Sequence, residues 1–514
     1  MKSTLFTIAL LSVLGLSAQT SVSFLHLGDA TFQNNYLNPS LIPRGKTYFG
    51  LPVLSGVHIN FNNKTSYNES FTKESGKTII DIDKILPNLQ NQNFTSFHAN
   101  VNLLHFGTRL KNGALISFMA NERVEIDALY SNDLVNFVWK GNDQFAGQEV
   151  KVSDAGVIGV HFREIGLGYS APVNERMNLG VRGKLLVGFA NFSTPNNFKS
   201  KLTSSGEAFQ LDAEWKNFAL RTSGRDIYSG DEGNLGSHLA FNSNLGAAID
   251  IGVTYHLNRY YTVSASLLDV GFISWKENIQ SETLRDTTFN YSGVELEDLG
   301  SIRQVLEDSL VNKFKPDDNF DPYTSWLPIK AYGSWIYHYG KNTDIYVSGG
   351  ARYVQRQLKM LYGVGVTQKF GNNFTGSISA TKLPQQFLNM GVAFTVHGGP
   401  VQFYMAADQI INFSVPDSKA IDFRLGMNFI LGRNDDSGGS GGSKERINKR
   451  AKGMDTNVFL GRGVKTKKRE GIYSIIKRQK KRDIKNKRSK RDKKVENESL
   501  NGRKGRKNSE QDLK

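Results

Sequence analysis

Between Thr47 and Arg433 hydrophobic and polar residues alternate with period two, as strands do when one face is apolar and the other wet. From Met177 to Phe189 one parity carries Met177, Leu179, Val181, Leu185, Val187 and Phe189, and the other Asn178, Gly180, Arg182, Lys184 and Gly188. The division recurs over 329–339, 345–353 and 388–397, where Leu388, Met390, Val392, Phe394 and Val396 oppose Asn389, Gly391, Thr395 and His397. The pattern predicts strands at 47–61, 94–109, 113–127, 154–171, 176–192, 245–256 and 259–274. Seven more follow at 326–339, 343–355, 359–370, 373–382, 388–397, 401–411 and 421–432. Strands that must satisfy every backbone group in lipid close into a barrel. The expected fold class is all-β: a transmembrane antiparallel up-and-down β-barrel of about 14 strands over residues 47–433.

The connections sort the same way. Membrane barrels alternate short periplasmic turns with longer extracellular loops. If the first strand runs outward, the periplasmic turns fall at Lys111-Asn112, Val173-Asn174, Asn258, Lys341-Asn342, Gly371-Asn372 and Gly398-Gly399. All are short and rich in Gly or Asn, which suit tight hairpins. Every long connection (62–93, 128–153, 193–244 and 275–325) then lies on the extracellular side. Trp335, Tyr337 and Tyr339 end a strand as an interfacial aromatic girdle does, and the last strand sets Phe423, Leu425, Met427, Phe429 and Leu431 against Asp422, Arg424 and Asn428.

Several segments resemble a known family: Leu37-Asn38-Pro39-Ser40, Gly50-Leu51-Pro52-Val53-Leu54-Ser55, Trp139 with Gly141-Asn142, Phe145-Ala146-Gly147-Gln148, Arg163-Glu164-Ile165-Gly166-Leu167-Gly168-Tyr169 and Gly399-Pro400-Val401-Gln402. They are similar to the Bacteroidota outer-membrane barrels of domain of unknown function 5723, over roughly residues 25–433. The resemblance implies an outer-membrane barrel and supplies no catalytic residues. More distantly, Asn38-Pro39 ahead of the first strand is similar to the N-terminal segment of FadL-like barrels, including the type IX secretion shuttle barrel. The residues after Arg433 depart from that pattern, because such barrels end near the final strand.

Chemistry-bearing motifs are missing from the sequence. The nine His stand singly, with no His-Glu-x-x-His, no Gly-x-Ser-x-Gly elbow and no Walker loop, so the sequence reads as non-enzymatic with no cofactor and no metal. His338 and His397 fall on the polar parity and are expected to be solvated in the lumen. Arg182, Lys184, Lys330, Arg352, Asp408, Asp422 and Arg424 share that inward parity. They are read either as a salt-bridged lumen or as a selectivity ring for anionic solutes.

The two ends complete the organisation. Lys2, the apolar run Leu5–Leu16 and the small residues Ser17 and Ala18 read as a signal peptide over 1–18, since twelve apolar residues fall short of the ~20 that span a bilayer. Without Cys there is neither a lipobox nor a disulfide. Residues 19–46 form an N-terminal segment that could plug the lumen. After a Gly/Ser linker at 434–443, residues 444–514 make a basic tail expected to be disordered and periplasmic. From Ser443 to Lys514 there are 27 Lys plus Arg and 9 Asp plus Glu, which leaves residues 1–442 at −2 against +16 for the whole chain. Its apolar islands Val458, Phe459, Leu460 and Ile472, Tyr473, Ile475, Ile476, with Lys477 and Arg478, are candidate partner-binding residues. The expected partners are outer-membrane lipid, proteins of the outer membrane and periplasm, and anionic lipid or cell wall for the tail, with no nucleic acid. Two roles fit: an accessory subunit of an outer-membrane assembly or secretion complex, or a FadL-like or porin-like transport barrel for a small or hydrophobic solute.

Overall fold

The computed structural model describes residues 22–432, apart from 142, 153–154, 196–198, 205–210, 226–241, 285–286, 292–316, 383–387 and 411–414. The signal peptide, the linker and the whole tail, including the islands at Val458–Leu460 and Ile472–Arg478, lie outside the described residues.

Fourteen strands close into one antiparallel barrel. They are β1 (Thr47–Gly50 and Val57–Asn62), β2 (Gln92–Arg109), β3 (Leu115–Ser131), β4 (Gly156–Pro172), β5 (Met177–Ser193), β6 (Leu245–His256) and β7 (Tyr261–Trp275). The others are β8 (Ile329–Tyr339), β9 (Thr343–Val354), β10 (Gln357–Phe370), β11 (Phe374–Lys382), β12 (Asn389–Gly398), β13 (Val401–Ala407) and β14 (Ala420–Leu431). Each pairs with its neighbour in sequence, and β1 pairs with both β2 and β14 to close the ring. The alternation is the burial pattern itself: on β3, Ser117, Asn121, Arg123, Glu125 and Asp127 are buried inward while Ile116 is exposed on the outer wall. A closed antiparallel barrel with such a wall is the architecture of an integral outer-membrane protein.

Gly340, Gly371 and Gly399 take positive φ in three of the short turns. Tyr261 packs on Trp335 and Tyr337 with ring centroids 6.1 and 5.2 Å apart, forming an aromatic belt at the turn end of β7 and β8.

β1 departs from the continuous strand expected over 47–61. Pro52 has no N–H for the ladder, and Val53 takes φ 64, so the chain buckles between Gly50 and Val57. Six residues there face only three of β2. The backbone remains satisfied: Val53 N–H donates to the Asn102 carbonyl at 2.9 Å, Asn102 N–H to the Gly56 carbonyl at 2.8 Å, and Met427 N–H to the Leu54 carbonyl at 2.8 Å. The Tyr404 hydroxyl donates to the Ser55 carbonyl at 2.8 Å and ties the buckle to β13. Tyr404→Phe is expected to lower barrel stability by about 1 kcal/mol, read as the shift in a urea-unfolding midpoint.

At the end of the barrel opposite the short turns, parts of the long connections form a second layer. Glu149–Val150, Lys199–Ser204, Leu211–Lys216 and Thr287–Tyr291 pair into a four-stranded sheet. Helix Asn132–Lys140, whose first turn is capped by the Ser131 hydroxyl accepting from Leu134 N–H at 3.0 Å, lays Leu134 and Phe137 on a core of Phe145, Val150, Val152, Leu202 and Ala213.

Candidate functional site

The lumen holds two structures stacked on each other: a folded N-terminal plug and a network of buried charges.

Residues 22–46 lie inside the barrel. Their short helical turns, Val22–Leu25 and Asn34–Leu37, are too short to be stable alone, and the wall holds them in place. The seat is a set of inward glycines. A Cβ on Gly180 would lie 2.1 Å from the Pro39 carbonyl oxygen, and one on Gly252, its register partner, 2.1 Å from Asn38 Oδ1. Gly107 faces Phe32, Gly365 faces His26 and Gly391 faces Ser23 in the same way. Asn38 Oδ1 also accepts from Ser40 N–H at 2.9 Å and Ser40 Oγ at 2.7 Å, so the Asn38-Pro39-Ser40 turn is shaped before it docks.

Polar contacts fix the plug around the whole circumference. Ser23 N–H donates to Asp408 Oδ1 at 2.9 Å. Gln33 and Asn428 exchange amide bonds at 2.5 and 2.8 Å, and Gln402 donates to the Ala30 carbonyl at 2.6 Å. Ser40 Oγ meets Thr254 Oγ1 at 2.7 Å, and Ser266 Oγ donates to the Leu37 carbonyl at 2.6 Å. Arg182 Nη2 donates to both the carbonyl and Oδ1 of Asn35, at 2.7 and 2.6 Å. Apolar plug residues fill the remaining space: Phe24, Leu25, Leu27 and Leu37 pack with Leu268, Tyr332 and Tyr404.

Arg182 also reaches Asp250 Oδ2 at 3.1 Å, and there the charge network begins. Lys184 Nζ contacts Asp250 at 2.8 Å, Asp269 at 2.7 Å and Glu164 at 3.3 Å. Arg123 grips Asp269 with both Nη atoms, at 3.0 and 2.8 Å, reaches Glu164 at 2.7 Å and also pairs with Glu125. Lys330 bridges Glu125 and Asp269 at 2.7 and 3.0 Å. Arg352 takes Asp127 at 2.6 Å and Glu125 at 2.8 Å.

The seven inward charges anticipated from the alternation all face the lumen, and they separate into two groups. Arg182, Lys184, Lys330 and Arg352 belong to the network. On the other side of the lumen, Asp408 holds the plug's first helical turn, Arg424 lies over the Phe24 ring at 4.4 Å, and Asp422 accepts from Asn60 at 2.8 Å and pairs with His58 at 3.0 Å. The network is not a cationic ring. Its cations Arg123, Arg182, Lys184, Lys330 and Arg352 are matched one for one by Glu125, Asp127, Glu164, Asp250 and Asp269. His338, expected to be solvated, is buried between Thr262 Oγ1 at 2.9 Å and Asp344 Oδ1 at 2.7 Å.

Asp269 escaped the alternation for a definite reason. It has φ 60 in a bulge of β7, where Leu268 and Asp269 together oppose Asp250, so it turns inward although its parity is that of the outward Leu267. Asp250 Oδ1 accepts from the Asp269 N–H at 2.9 Å and pins the bulge. Among the described residues no group of three or more histidine or acidic side chains has metal-binding geometry.

The sequence model of a family of unknown function, DUF5723, matches residues 39–408. No curated protein sequence matches the chain. Among solved structures, the Ralstonia pickettii toluene transporter TbuX aligns at TM-score 0.37 with 8% identity, over 81% of this chain and 97% of that one. A Pseudomonas aeruginosa FadL homologue aligns at TM-score 0.38 with 10% identity, over 81% and 100%. The translocator domain of autotransporter NalP from Neisseria meningitidis aligns at TM-score 0.29 with 8% identity, over 80% and 100%.

Proposed function

Since the chain belongs to DUF5723, a family of unknown function, we propose a role from its own geometry: a plugged transport barrel of the outer membrane that admits a small or hydrophobic solute when residues 22–46 move. The observation that carries this reading is how the plug is held. It adds no strand to the barrel and is bound by one or two side-chain hydrogen bonds from each of many strands, the neutral ones worth about 0.5–1.5 kcal/mol net and those to charged groups about 1.5–3 kcal/mol, each replaceable by water. Arg182 links the two layers of the lumen. Freeing Asn35 removes one of its anchors beside Asp250, the point from which the network extends through Lys184 to Asp269.

Full-length protein in planar bilayers is expected to conduct poorly, and a variant lacking residues 22–46 to open a stable pore. A sealed barrel after the deletion would overturn the transport reading. The folded extracellular sheet favours a second reading, an accessory subunit that presents a docking platform, since a simple pore has no need of one. In either role the basic tail is proposed to meet protein partners, anionic lipid or the cell wall from the periplasm. Affinity purification with and without residues 434–514 tests this: partners lost on truncation support it, and a lone barrel in both preparations refutes it.

A further inference from the structure

At the end of the barrel opposite the short turns, β9 and β10 are joined by only two residues, Gln355 and Arg356, which take φ 48 and 62 in a tight hairpin. Near its tip the hairpin leaves the wall on one edge: among the described residues, none of β11 pairs with residues 357–361 of β10. The tip crosses the lumen instead. Val354, 3% exposed, packs with Phe94 of β2, Leu129 of β3 and Ile158 of β4. Gln355 Nε2 donates to the Val157 carbonyl at 2.9 Å, and Lys359 Nζ lies over the Phe94 ring at 4.8 Å. Just inside the tip, Arg352 takes Asp127 and Glu125 of β3. In a ring of fourteen strands β2 stands seven places from β9, so these contacts join opposite walls.

What is fixed at this end differs from what can move. Along β4 to β7 the lumen is filled by an apolar core in which Phe162, Leu186, Ile273, Trp275 and Leu327 are buried, a close-packed cluster that does not open piecemeal. The hairpin holds the far wall through single side chains: one valine, one amide and a row of charges. Its base lies where a bend costs least, because Gly349 and Gly350 of β9 stand beside Gly363 of β10. The plug braces that base from within the lumen. A Cβ on Gly363 would lie 2.6 Å from Val22 Cγ1, the His26 ring stacks on Tyr346 at 4.8 Å, and His26 Nε2 meets Ser348 Oγ at 3.1 Å. A second line of contact runs from the plug's Asn35 through Arg182 and the charge network to Arg352, with Glu125 as its last link.

We propose that the β9–β10 hairpin is a lid on the lumen, closed on β2, β3 and β4 while the plug is docked and released from them when the plug leaves. As a second closure, the lid rests on the plugged-transport reading. One displaced segment then acts at both ends of the hairpin. Lifting Val22 and His26 frees the glycines at its base, and freeing Asn35 removes an anchor of the ion pairs that end at its tip. The docked plug binds the closed arrangement alone, so its departure shifts the balance toward the open one.

The chain has no cysteine, so Gly156→Cys with Gln355→Cys places two lone thiols across the seam, where a Cβ on Gly156 would lie 3.1 Å from Gln355 Oε1. A short bis-methanethiosulfonate bridges such a pair, and dithiothreitol releases it. The full-length protein is compared with its plug docked and with Gly180→Val added, which bars Pro39 from its seat; protease cleavage within residues 22–46 reports the plug's departure. Gly252→Val, which clashes with Asn38, takes its place if the first variant loses the heat-modifiable gel shift of a folded barrel or keeps its plug protected. Bridging is expected to be about fivefold faster with the plug docked, the low end of coupling between linked sites, and equal rates would overturn the lid. In planar bilayers the plug-ejected form is expected to conduct, to lose its conductance when bridged and to regain it on reduction. Unchanged conductance through a bridged hairpin would overturn the lid, as would a block by the same reagent on Gln355→Cys alone, since that would be bulk and not closure. A difference in bridging rate with no conductance in either form would uphold a lid that moves with the plug and sink the transport reading.

Discussion

Replacing Asp269 with alanine is expected to cost about 3–5 kcal/mol of barrel stability, the range for breaking a buried ion pair from one side. Asp269 touches three cations, Arg123, Lys184 and Lys330, and all four side chains are largely buried. Its removal leaves a balanced cluster one negative charge short in the middle of the lumen. Lys184 retains Asp250 and Glu164, and Lys330 retains Glu125, but Arg123 loses its only bidentate partner. Asp269→Asn, which keeps the shape and one acceptor oxygen, is expected to fall between wild type and alanine. Urea unfolding of the three proteins in detergent checks the order. The double variant Asp269→Ala with Lys184→Met should lose less than the two single changes summed, since the second removes a cation that the first strands. An alanine variant as stable as wild type would mean that water already screens the cluster.

How much of this was legible depends on which residues decide each feature. The wall was readable because lipid enforces one rule on the strands, and β12 states it without exception from Asn389 to Val396. On β3 Glu122 departs from it, sharing its parity with Ile116, Phe118, Val124 and Ile126. The break in β1 was signalled by Pro52, but what replaces the ladder there comes from Asn102 and Met427 on two other strands. Asp269 could not be read by parity, because the bulge that turns it inward is fixed by its N–H reaching Asp250 across the strand pair. The charge partners followed neither composition nor spacing. Arg352 meets Asp127 and Glu125 from positions more than two hundred residues away, and only the closed register of the barrel brings them together. The four-stranded sheet is assembled from short pieces of three separate connections, each below the length at which alternation is informative.

The inward glycines are the most instructive of these features, since each is a polar-parity position in sequence and a contact surface in space. Gly180→Val is therefore expected to eject the plug and leave the barrel intact. A Cβ there would stand 2.1 Å from the Pro39 carbonyl oxygen, 2.2 Å from its carbon and 2.5 Å from Ser40 N. All three are backbone atoms, so no rotamer change relieves the clash, and the proline ring fixes φ at the same place. Valine itself suits a strand, so the cost falls on the docked segment. Once Asn38–Ser40 lifts, the bonds from Ser170 to Pro39, Thr254 to Ser40 and Arg182 to Asn35 go with it, several kcal/mol in all at about 0.5–1.5 kcal/mol for each of the first two and about 1.5–3 kcal/mol for the charged one. Two readouts should move together, conductance rising to the level of the deletion lacking residues 22–46 and protease cleavage within that segment, while the heat-modifiable shift of the barrel stays unchanged. Gly333→Val is the control, because its Cβ would find its nearest neighbour at 3.9 Å and should alter none of them. A Gly180→Val barrel that stays sealed while its plug is cleaved would assign the seal to the charge network alone, and one that stays sealed with its plug protected would show that the Asn38-Pro39-Ser40 turn is not what holds the segment in place.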